Sequence, residues 1–188
     1  MLKYVFIIVA YLLGSIPFSY LLGKTIKHED IRKYGSGNLG TTNAYRVFGK
    51  VIGTCVLILD TLKSGLLVYL FKNEIIFANV ELFPPLVYGF ASMLGHVFPV
   101  WFKFKGGKGV ATAFGLLLAY SPWLALIMVS LFIVIQLITR YVSVASCGAT
   151  LIAGIVGFVL FLTGKYPDFD WVFVIILFLT ITLIFVRH

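Results

Sequence analysis

Residues 4–23 read YVFIIVAYLLGSIPFSYLLG, a run of 20 positions without a charged side chain. Such a run is long enough for an α-helix to cross the roughly 30 Å hydrocarbon core of a bilayer. It is long for the apolar part of a secretory signal peptide and lacks an Ala-x-Ala cleavage site, so we interpret it as a membrane span. The composition agrees, because 61% of the 188 residues are hydrophobic, 12% are charged, and the mean hydropathy is +1.05.

Further apolar runs follow along the chain and predict an all-α, polytopic membrane protein rather than a β-barrel. Continuous apolar runs favour helices, since the strands of a barrel are segments of about ten residues in which apolar and polar positions alternate. The stretch 109–139 would reach roughly 46 Å as one helix, but Ser121-Pro122 interrupts it and predicts two short helices joined by a tight turn. Seven transmembrane helices in one domain, residues 1–188, are therefore expected near 4–23, 51–72, 83–101, 109–120, 123–139, 144–164 and 171–186.

The charged residues sort onto two sides of these spans. Glu74, Glu81, Asp168 and Asp170 fall on the side that is poor in Lys and Arg. Since an excess of Lys and Arg marks the cytoplasmic face, the N-terminus is expected outside and the C-terminus in the cytoplasm. The same excess explains the net charge of +8 more simply than nucleic-acid binding does, and it would attract anionic lipid or phosphorylated substrates. The cations assigned to the cytoplasmic side are Lys24, Lys27, Arg32, Lys33, Arg46, Lys50, Lys103, Lys105, Lys108, Arg140 and Arg187.

The first of two glycine-rich loops on that side runs from Gly35 to Arg46 and reads GSGNLGTTNAYR. It contains a G-x-G-x-x-G match, but a dinucleotide fingerprint must follow a strand and open a helix in a βαβ unit, and that context is missing. Short hydroxyl and amide side chains and one arginine fork suit a phosphate, and a helix that begins near Gly40–Thr41 would add free N–H groups. A plain Gly/Ser/Asn turn, with Arg46 as a topology anchor, explains the composition equally well.

The second glycine-rich loop, residues 103–112, reads KFKGGKGVAT and leads straight into a predicted helix. It lacks the spacing of a Walker A loop. Lysines beside the positive end of a helix dipole are unfavourable for the helix alone, and a bound anion would relieve this conflict. The alternative is an ordinary positive-inside loop. His96 precedes the loop at the end of the third span, where a histidine is more often a helix-end hydrogen-bonding group than a base.

Asp60 and Lys63 lie within the second span, three residues apart, and therefore share one face of the helix. Charges at that depth are costly and normally pair with one another inside the helix bundle. A structural ion pair is therefore favoured over a direct role in a binding site.

Taken in chain order, these residues resemble the PlsY family of bacterial membrane acyl-phosphate:glycerol-3-phosphate acyltransferases, and the resemblance covers nearly the whole chain. The first family motif, S-G-N-x-G-x-x-N-x-x-R, is met by Ser36, Gly37, Asn38, Gly40, Asn43 and Arg46. The second, G-H-x-F-P followed by F-K-G-G-K-G-x-A-T, is met by Gly95, His96, Phe98, Pro99 and the stretch from Phe104 to Thr112. Two shorter patterns also fit, D-x-x-K-G at Asp60, Lys63 and Gly65, and R-x-x-S-x-x-S at Arg140, Ser143 and Ser146.

The resemblance implies transfer of a fatty acyl group from acyl phosphate to glycerol 3-phosphate, which gives lysophosphatidate and inorganic phosphate and begins phospholipid synthesis. It implies a monomeric enzyme of the bacterial inner (cytoplasmic) membrane, in contact with membrane lipid, with its active site facing the cytoplasm. No cofactor, metal or nucleic acid is expected. Acyl phosphate is a mixed anhydride with an activated carbonyl group, so no covalent acyl-enzyme is expected. Positioning of the substrates and stabilisation of charge are predicted to supply most of the rate enhancement.

On this hypothesis the first glycine loop holds the phosphate of acyl phosphate and the developing oxyanion, while Arg46, Lys105 and Ser143 bind the phosphate of glycerol 3-phosphate. The hydroxyl proton goes either to the departing phosphate or to His96. Family members usually continue past the last span with a basic H-R-x-N-type segment that contributes polar groups to the site, whereas this sequence stops at Arg187-His188. Either the sequence is a truncated version, with His188 as the first residue of that segment, or the contribution is missing. The predicted catalytic residues are Ser36, Asn38, His96 and Lys105, and the predicted substrate-binding residues are Gly37, Gly40, Thr41, Asn43, Arg46, Gly106, Gly107, Lys108, Gly109, Thr112, Ser143 and His188.

Two other classes of protein fit the sequence less well. An acyl-CoA-dependent acyltransferase usually carries an H-x-x-x-x-D pair, but Lys33 stands five residues after His28 and Trp101 stands five residues after His96. A small transporter for an anionic solute would place polar residues at mid-bilayer depth, often on broken helices in two related halves. Here the polar groups collect at one face instead.

Overall fold

The computed structural model describes residues 1–75 and 81–188, and within these residues the regular elements are all helical, as predicted. The α-helices of this described part are α1 (Leu2–Gly14), α2 (Phe18–Leu22), α3 (Thr41–Lys72), α4 (Pro85–Val97), α5 (Val110–Tyr120), α6 (Pro122–Thr139), α7 (Val142–Leu162) and α8 (Trp171–Arg187). A π-helical turn at Gly23–Lys27 and 3₁₀ turns at Ile31–Lys33 and Val100–Phe102 lie between them.

Five segments of the described chain are long and apolar enough to cross a bilayer, namely Leu2–Lys27, Thr41–Lys72, Pro85–Phe102, Pro122–Thr139 and Val142–Leu162. Helices α5 and α8 are also apolar but shorter, with 11 and 17 residues. An all-helical protein with several membrane-spanning helices is thus confirmed. The count of seven spans and the orientation of the two termini stay predictions.

Proline residues set two of the helix boundaries. The first predicted span, near 4–23, falls within the candidate span Leu2–Lys27. Its α-helix is interrupted between Gly14 and Phe18, because Pro17 disfavours helical geometry at the residue before it. Ser121 is extended, with φ −142° and ψ 92°, and the next residue, a proline, opens α6. The predicted break within the stretch 109–139 is therefore confirmed.

Helix α3 is bent back on itself at Gly49, whose φ of 81° is accessible to glycine at little cost. A straight helix would place Thr41 and Asp60 about 28 Å apart. Instead, Thr41 Oγ1 lies 3.3 Å from Asp60 Oδ2. The arm 41–48 therefore folds against the arm 50–72, and it carries the first glycine loop to the level of Asp60 within the span.

Glycine residues let neighbouring helices approach one another at backbone distance. A Cβ atom on Gly115 of α5 would lie 2.0 Å from the carbonyl oxygen of Thr61 in α3. A Cβ atom on Gly95 of α4 would lie 2.1 Å from the carbonyl oxygen of Tyr11 in α1. Close packing of small residues is a common way for helices to associate in lipid, where the hydrophobic effect does not drive them together.

We expect Gly115→Ala to lower the stability of the folded protein, because the added methyl group meets backbone that cannot move aside. Overpacking of this kind typically costs about 1–3 kcal/mol. Gly148→Ala is the matched control, since its Cβ atom would meet the flexible end of Ile135, at 3.0 Å. Thermal unfolding in detergent should show a lower midpoint for Gly115→Ala than for the control, and equal midpoints would contradict the close helix contact.

Ion pairs and hydrogen bonds join the ends of α3 and α5 that lie away from the glycine loops. Lys72 Nζ lies 2.8 Å from Asp168 Oδ2 and 2.9 Å from the carbonyl oxygen of Tyr120. Near the start of α4, Lys3 Nζ lies 2.8 Å from Glu81 Oε1. The sequence analysis assigns both of these acids to the side opposite the glycine loops, and the structure pairs each of them with a lysine.

Candidate active site

The first glycine loop is folded around the buried side chain of Asn43. Its Oδ1 accepts a hydrogen bond from the N–H of Ser36 at 2.9 Å, and its Nδ2 donates to the carbonyl oxygens of Tyr34 and Asn38 at 3.2 and 3.0 Å. The side chain of Asn38 adds a fourth bond, because its Oδ1 accepts from the N–H of Gly40 at 2.7 Å. The two amide side chains therefore fix the loop immediately before α3 begins.

We expect Asn43→Asp to release this loop, because a carboxylate cannot donate to the two carbonyl oxygens and would face them at hydrogen-bond distance. Leaving such buried groups unpaired costs about 1–3 kcal/mol. The matched control is Asn73→Asp, whose exposed amide donates to the carbonyl of Tyr69 at the other end of α3. Hydrogen exchange measured by mass spectrometry should show faster exchange at Ser36 and Gly40 in Asn43→Asp, and unchanged protection would contradict the role of Asn43.

The second glycine loop folds against the end of α4. The N–H groups of Gly106 and Gly107 donate to the carbonyl oxygens of Val97 and His96 at 3.1 and 3.0 Å. These N–H groups are therefore not free to hold an anion, although both glycines are among the predicted substrate-binding residues. The free groups of this loop lie further on, where Gly109, with φ 88°, caps the start of α5.

Both loops open onto one cleft of about 860 Å³. Three helices begin at its wall, α3 at Thr41, α5 at Val110 and α7 at Val142. The first N–H groups of a helix have no partner within the helix, and the helix dipole makes that end positive. Three such ends around one cleft form a site that favours anionic groups.

Cationic side chains line the same cleft. They are Arg46 on α3, Lys108 just before α5, and Arg140 at the end of α6. Lys108 Nζ lies 3.5 Å from Ser143 Oγ, so the second loop reaches the start of α7. His188 also lines the cleft. Partial burial lowers the pKa of His188, so its ring is mainly neutral at pH 7 and serves as a hydrogen-bonding group rather than a further cation.

The cleft continues as an apolar groove along α6. Met128 and Phe132 line it from α6, and Phe114 lines it from α5. Gln136 stands one helical turn nearer the polar end, and its Oε1 is buried without a hydrogen-bond partner among the described residues. The lining thus changes from apolar at Met128 to cationic at Arg140 over a rise of about 18 Å. A molecule with a hydrocarbon chain at one end and a phosphate at the other would match this gradient.

A buried charged cluster joins the two loops. Asp60 and Lys63 form the predicted ion pair, with Nζ 2.9 Å from Oδ1 and both side chains at most 4% exposed. His96 Nδ1 lies 3.5 Å from the same carboxylate oxygen. The other carboxylate oxygen accepts the hydrogen bond from Thr41 Oγ1. One carboxylate therefore contacts both the first residue of α3 and the histidine that leads into the second loop.

Most of the predicted site residues line the cleft, namely Ser36, Asn38, Gly40, Thr41, Asn43, Arg46, His96, Lys108, Gly109, Ser143 and His188. The others lie outside its wall. Gly37 turns the first loop with φ 69°, and Gly106 and Gly107 pack against the end of α4. Thr112 is buried and hydrogen-bonds the start of α5, and Lys105 is exposed on the second loop. A direct role for these five residues stays a prediction.

The structure adds polar cleft residues that were not among the predicted site residues, namely Thr42, Tyr45, Gln136, Arg140, Tyr141 and Ser146. Arg140 and Ser146 belong to the R-x-x-S-x-x-S pattern. Without that pattern, the turn at Arg140 between two apolar helices gives no sign of a functional site. Gln136 could have been identified as a cavity residue from the sequence. An amide within an 18-residue apolar helix is costly unless it faces a protein cavity.

Comparison with known sequences relates this chain to one family. The family model described as glycerol-3-phosphate acyltransferase matches residues 4–188. A protein named glycerol-3-phosphate acyltransferase from Enterococcus faecalis is 41% identical over 189 residues, which cover 98% of this chain and 84% of that protein. One of the same name from Bacillus cytotoxicus is 40% identical over 190 residues, which cover 100% of this chain and 88% of that protein.

Comparison with solved structures leads to the same family. The crystal structure of PlsY, an integral membrane glycerol 3-phosphate acyltransferase, in its glycerol 3-phosphate form has a TM-score of 0.83 and 40% sequence identity. Its lysophosphatidic acid form has a TM-score of 0.82 and 39% identity, and each match covers 100% of this chain and 88% of the other. The chain belongs to the glycerol-3-phosphate acyltransferase family.

Proposed function

We propose that this acyltransferase takes a fatty acyl group from acyl phosphate and transfers it to glycerol 3-phosphate, releasing lysophosphatidate and inorganic phosphate. The acceptor and the product are those named for the solved relative, in its glycerol 3-phosphate and lysophosphatidic acid forms. The observation that supports acyl phosphate as the donor is the meeting of three helix N-termini at one cleft. Such a cleft suits a reaction in which donor and acceptor each bring a phosphate group to the same place.

The protein contributes to this reaction mainly by positioning the two substrates. The hydroxyl oxygen of glycerol 3-phosphate attacks the carbonyl carbon of acyl phosphate, and an ester C–O bond forms. The C–O bond to the phosphate breaks, and its electron pair leaves with the phosphate. The hydroxyl proton passes either to that phosphate or to His96. Alignment of the two reactants can supply about 7–11 kcal/mol of the barrier reduction, and hydrogen-bond donors aimed at the oxyanion add to it. A covalent acyl-enzyme is therefore not required.

We assign the first glycine loop to the donor phosphate and the oxyanion, and Arg46, Lys105 and Ser143 to the phosphate of glycerol 3-phosphate. Lys108 stands 3.5 Å from Ser143 Oγ and is placed to serve either phosphate. Asn38 Oδ1 is already bonded within the loop, so the group that Asn38 offers to a substrate is its Nδ2 donor. The fatty chain of the donor would lie in the apolar groove along α6, where burial removes its methylene groups from water.

The same proposal includes a topology. We place seven spans in the bacterial inner membrane, with the N-terminus outside, the cleft facing the cytoplasm, and the protein acting as a monomer. Helix α5 has 11 residues, a length of about 16 Å, which is roughly half of the hydrocarbon core. This short helix supports a site that begins within the cytoplasmic half of the bilayer, where a lipid-borne donor and a water-soluble acceptor can both arrive.

The proposal is tested with the purified full chain in lipid, supplied with palmitoyl phosphate and glycerol 3-phosphate, while phosphate and lysophosphatidate are both measured. A parallel reaction replaces palmitoyl phosphate with palmitoyl-CoA. We expect product from acyl phosphate and none from acyl-CoA. Product from acyl-CoA alone would overturn the choice of donor. Uptake of labelled glycerol 3-phosphate into proteoliposomes without any lysophosphatidate would instead indicate a transporter.

A further inference from the structure

The apolar groove of the cleft ends at Met128. Among the residues of α6 that line the cleft, this one lies furthest from Arg140, and it is 4% exposed. We propose that Met128 sets the acyl-chain length that the enzyme prefers, because it closes the groove and moves aside into an interior cavity only for longer chains. This inference rests on the proposed function and names the hydrocarbon part of the donor that the groove selects.

The length of the groove predicts the preferred acyl chain. The rise along α6 from Met128 to Arg140 is about 18 Å. An extended chain of single bonds advances about 1.2 Å per bond, as an extended backbone does, so this rise holds about 15 bonds. A donor with its phosphate near Arg140 therefore reaches Met128 with an acyl chain of about 16 carbons.

Packed side chains close the far end of the groove. On the turn of α6 beyond Met128, Leu124 and Ala125 are at most 1% exposed and belong to the hydrophobic core. Neither of them lines the cleft. A chain that follows α6 past Met128 would therefore have to displace the methionine side chain or bend out of the groove.

A second cavity, of about 30 Å³, lies behind Met128 inside the helix bundle. Among the described residues, Met128 is the one that lines both this cavity and the cleft. The rest of the cavity wall includes buried residues of α4, α7 and α8, namely Leu86, Ala153 and Phe173. The side chain of Met128 therefore separates the groove from the interior of the bundle.

The interior cavity suits an apolar group better than water. A buried water molecule needs about two to four polar partners. Thr150 Oγ1 already donates to the carbonyl oxygen of Ser146 at 2.7 Å, and Thr180 Oγ1 has no hydrogen-bond partner among the described residues. Because two hydroxyl groups in an otherwise apolar wall do not supply these partners, the cavity is available to the displaced end of Met128.

A methionine can both close the groove and give way. Its three rotatable bonds let it fill irregular spaces, so Sδ and Cε can swing into the cavity when a longer chain arrives. Burial of extra methylene groups supplies no driving force, since the donor comes from lipid, which is as apolar as the groove. Chain-length preference therefore depends on the fit at Met128, and a misfit of one methylene group in a hydrophobic pocket typically changes kcat/KM about 10–200-fold.

The test measures kcat/KM of the full chain in vesicles that hold myristoyl, palmitoyl, stearoyl or eicosanoyl phosphate at the same mole fraction, with lysophosphatidate as the product measured. For the wild type we expect similar values up to palmitoyl phosphate and a fall of about tenfold or more at stearoyl phosphate. Met128→Ala joins the groove to the cavity, so stearoyl and palmitoyl phosphate should react equally well. The matched control is Leu124→Ala, a buried position of α6 that lines neither the cleft nor the cavity and should keep the wild-type fall.

Two results would overturn the inference. Equal rates from myristoyl to eicosanoyl phosphate in the wild type would mean that the chain leaves the groove for the lipid before it reaches Met128. A wild-type fall retained in Met128→Ala would mean that another part of the groove limits the chain. A wild type that forms no lysophosphatidate from any of these donors would count instead against the proposed function.

Ala153→Val keeps the test decisive if Met128→Ala does not fold. The added methyl groups fill the cavity from α7, so that Met128 can no longer swing aside. We expect the wild-type kcat/KM with palmitoyl phosphate, and a fall at stearoyl phosphate that is larger than in the wild type and approaches about 10²-fold. An unchanged fall in Ala153→Val would show that longer chains do not use the cavity.

Discussion

Replacing Arg46 by alanine is expected to lower kcat/KM for glycerol 3-phosphate about 10²–10³-fold, since two hydrogen bonds to a phosphate contribute about 1.5–2 kcal/mol each and each 1.4 kcal/mol is a factor of ten. The guanidinium lines the cleft on the arm 41–48, near the positive end of α3. Its planar fork can bind two phosphate oxygens at once, whereas an ammonium group acts as a point charge. Arg46→Lys should therefore recover only part of the loss.

The control for this prediction is Lys50→Ala, which removes an exposed cation just beyond the bend at Gly49. Lys50 does not line the cleft, so its loss should leave kcat/KM nearly unchanged. Steady-state rates at varied glycerol 3-phosphate, with membrane insertion checked for each variant, separate the two positions. Equal effects at Arg46 and Lys50 would show that the enzyme responds to the overall charge of its cytoplasmic face and not to a phosphate contact.

The helices and the two loops were predictable because their signals are local. Apolar runs of span length set the helices, and Pro122 marked the break between α5 and α6 through the geometry that it forbids. The two glycine-rich loops were recognisable from residue type and spacing. The ion pair of Asp60 with Lys63 also followed from spacing, since residues three apart share a helix face.

The arrangement of the site was not predictable, because it depends on contacts between distant parts of the chain. A lone Gly49 does not show that α3 will double back, yet the bend there brings Thr41 to Asp60. Gly106 and Gly107 of the second loop are predicted substrate-binding residues, but their N–H groups donate to carbonyl oxygens at the end of α4. The role of α7 at the cleft likewise depends on packing and not on the sequence of its first turn.

Gly107→Ala is expected to lower kcat/KM by about 10²-fold while the protein stays folded, because it displaces His96, which lines the cleft, and a misplacement of about 1 Å around a site can cost that much. The added Cβ atom would lie 2.0 Å from Nε2 of His96 and 2.6 Å from its Cε1. These are atoms of a side chain that can rotate, so the clash is relieved by displacing the ring. The displaced ring would no longer keep Nδ1 beside Asp60 Oδ1, which now lies 3.5 Å from it.

Gly106→Ala supplies the contrast, because its Cβ atom would lie 2.1 Å from the backbone oxygen of His96 and 2.4 Å from Cδ of Pro99. Backbone cannot move aside without breaking the bonds that hold the second loop to α4, so this variant should unfold at a lower temperature than Gly107→Ala. Thermal unfolding and steady-state rates on both variants therefore distinguish the two glycines. Full activity in Gly107→Ala would mean that the reaction does not depend on where His96 points. A destabilisation as large as that of Gly106→Ala would mean that the ring cannot move and that Gly107 serves packing alone.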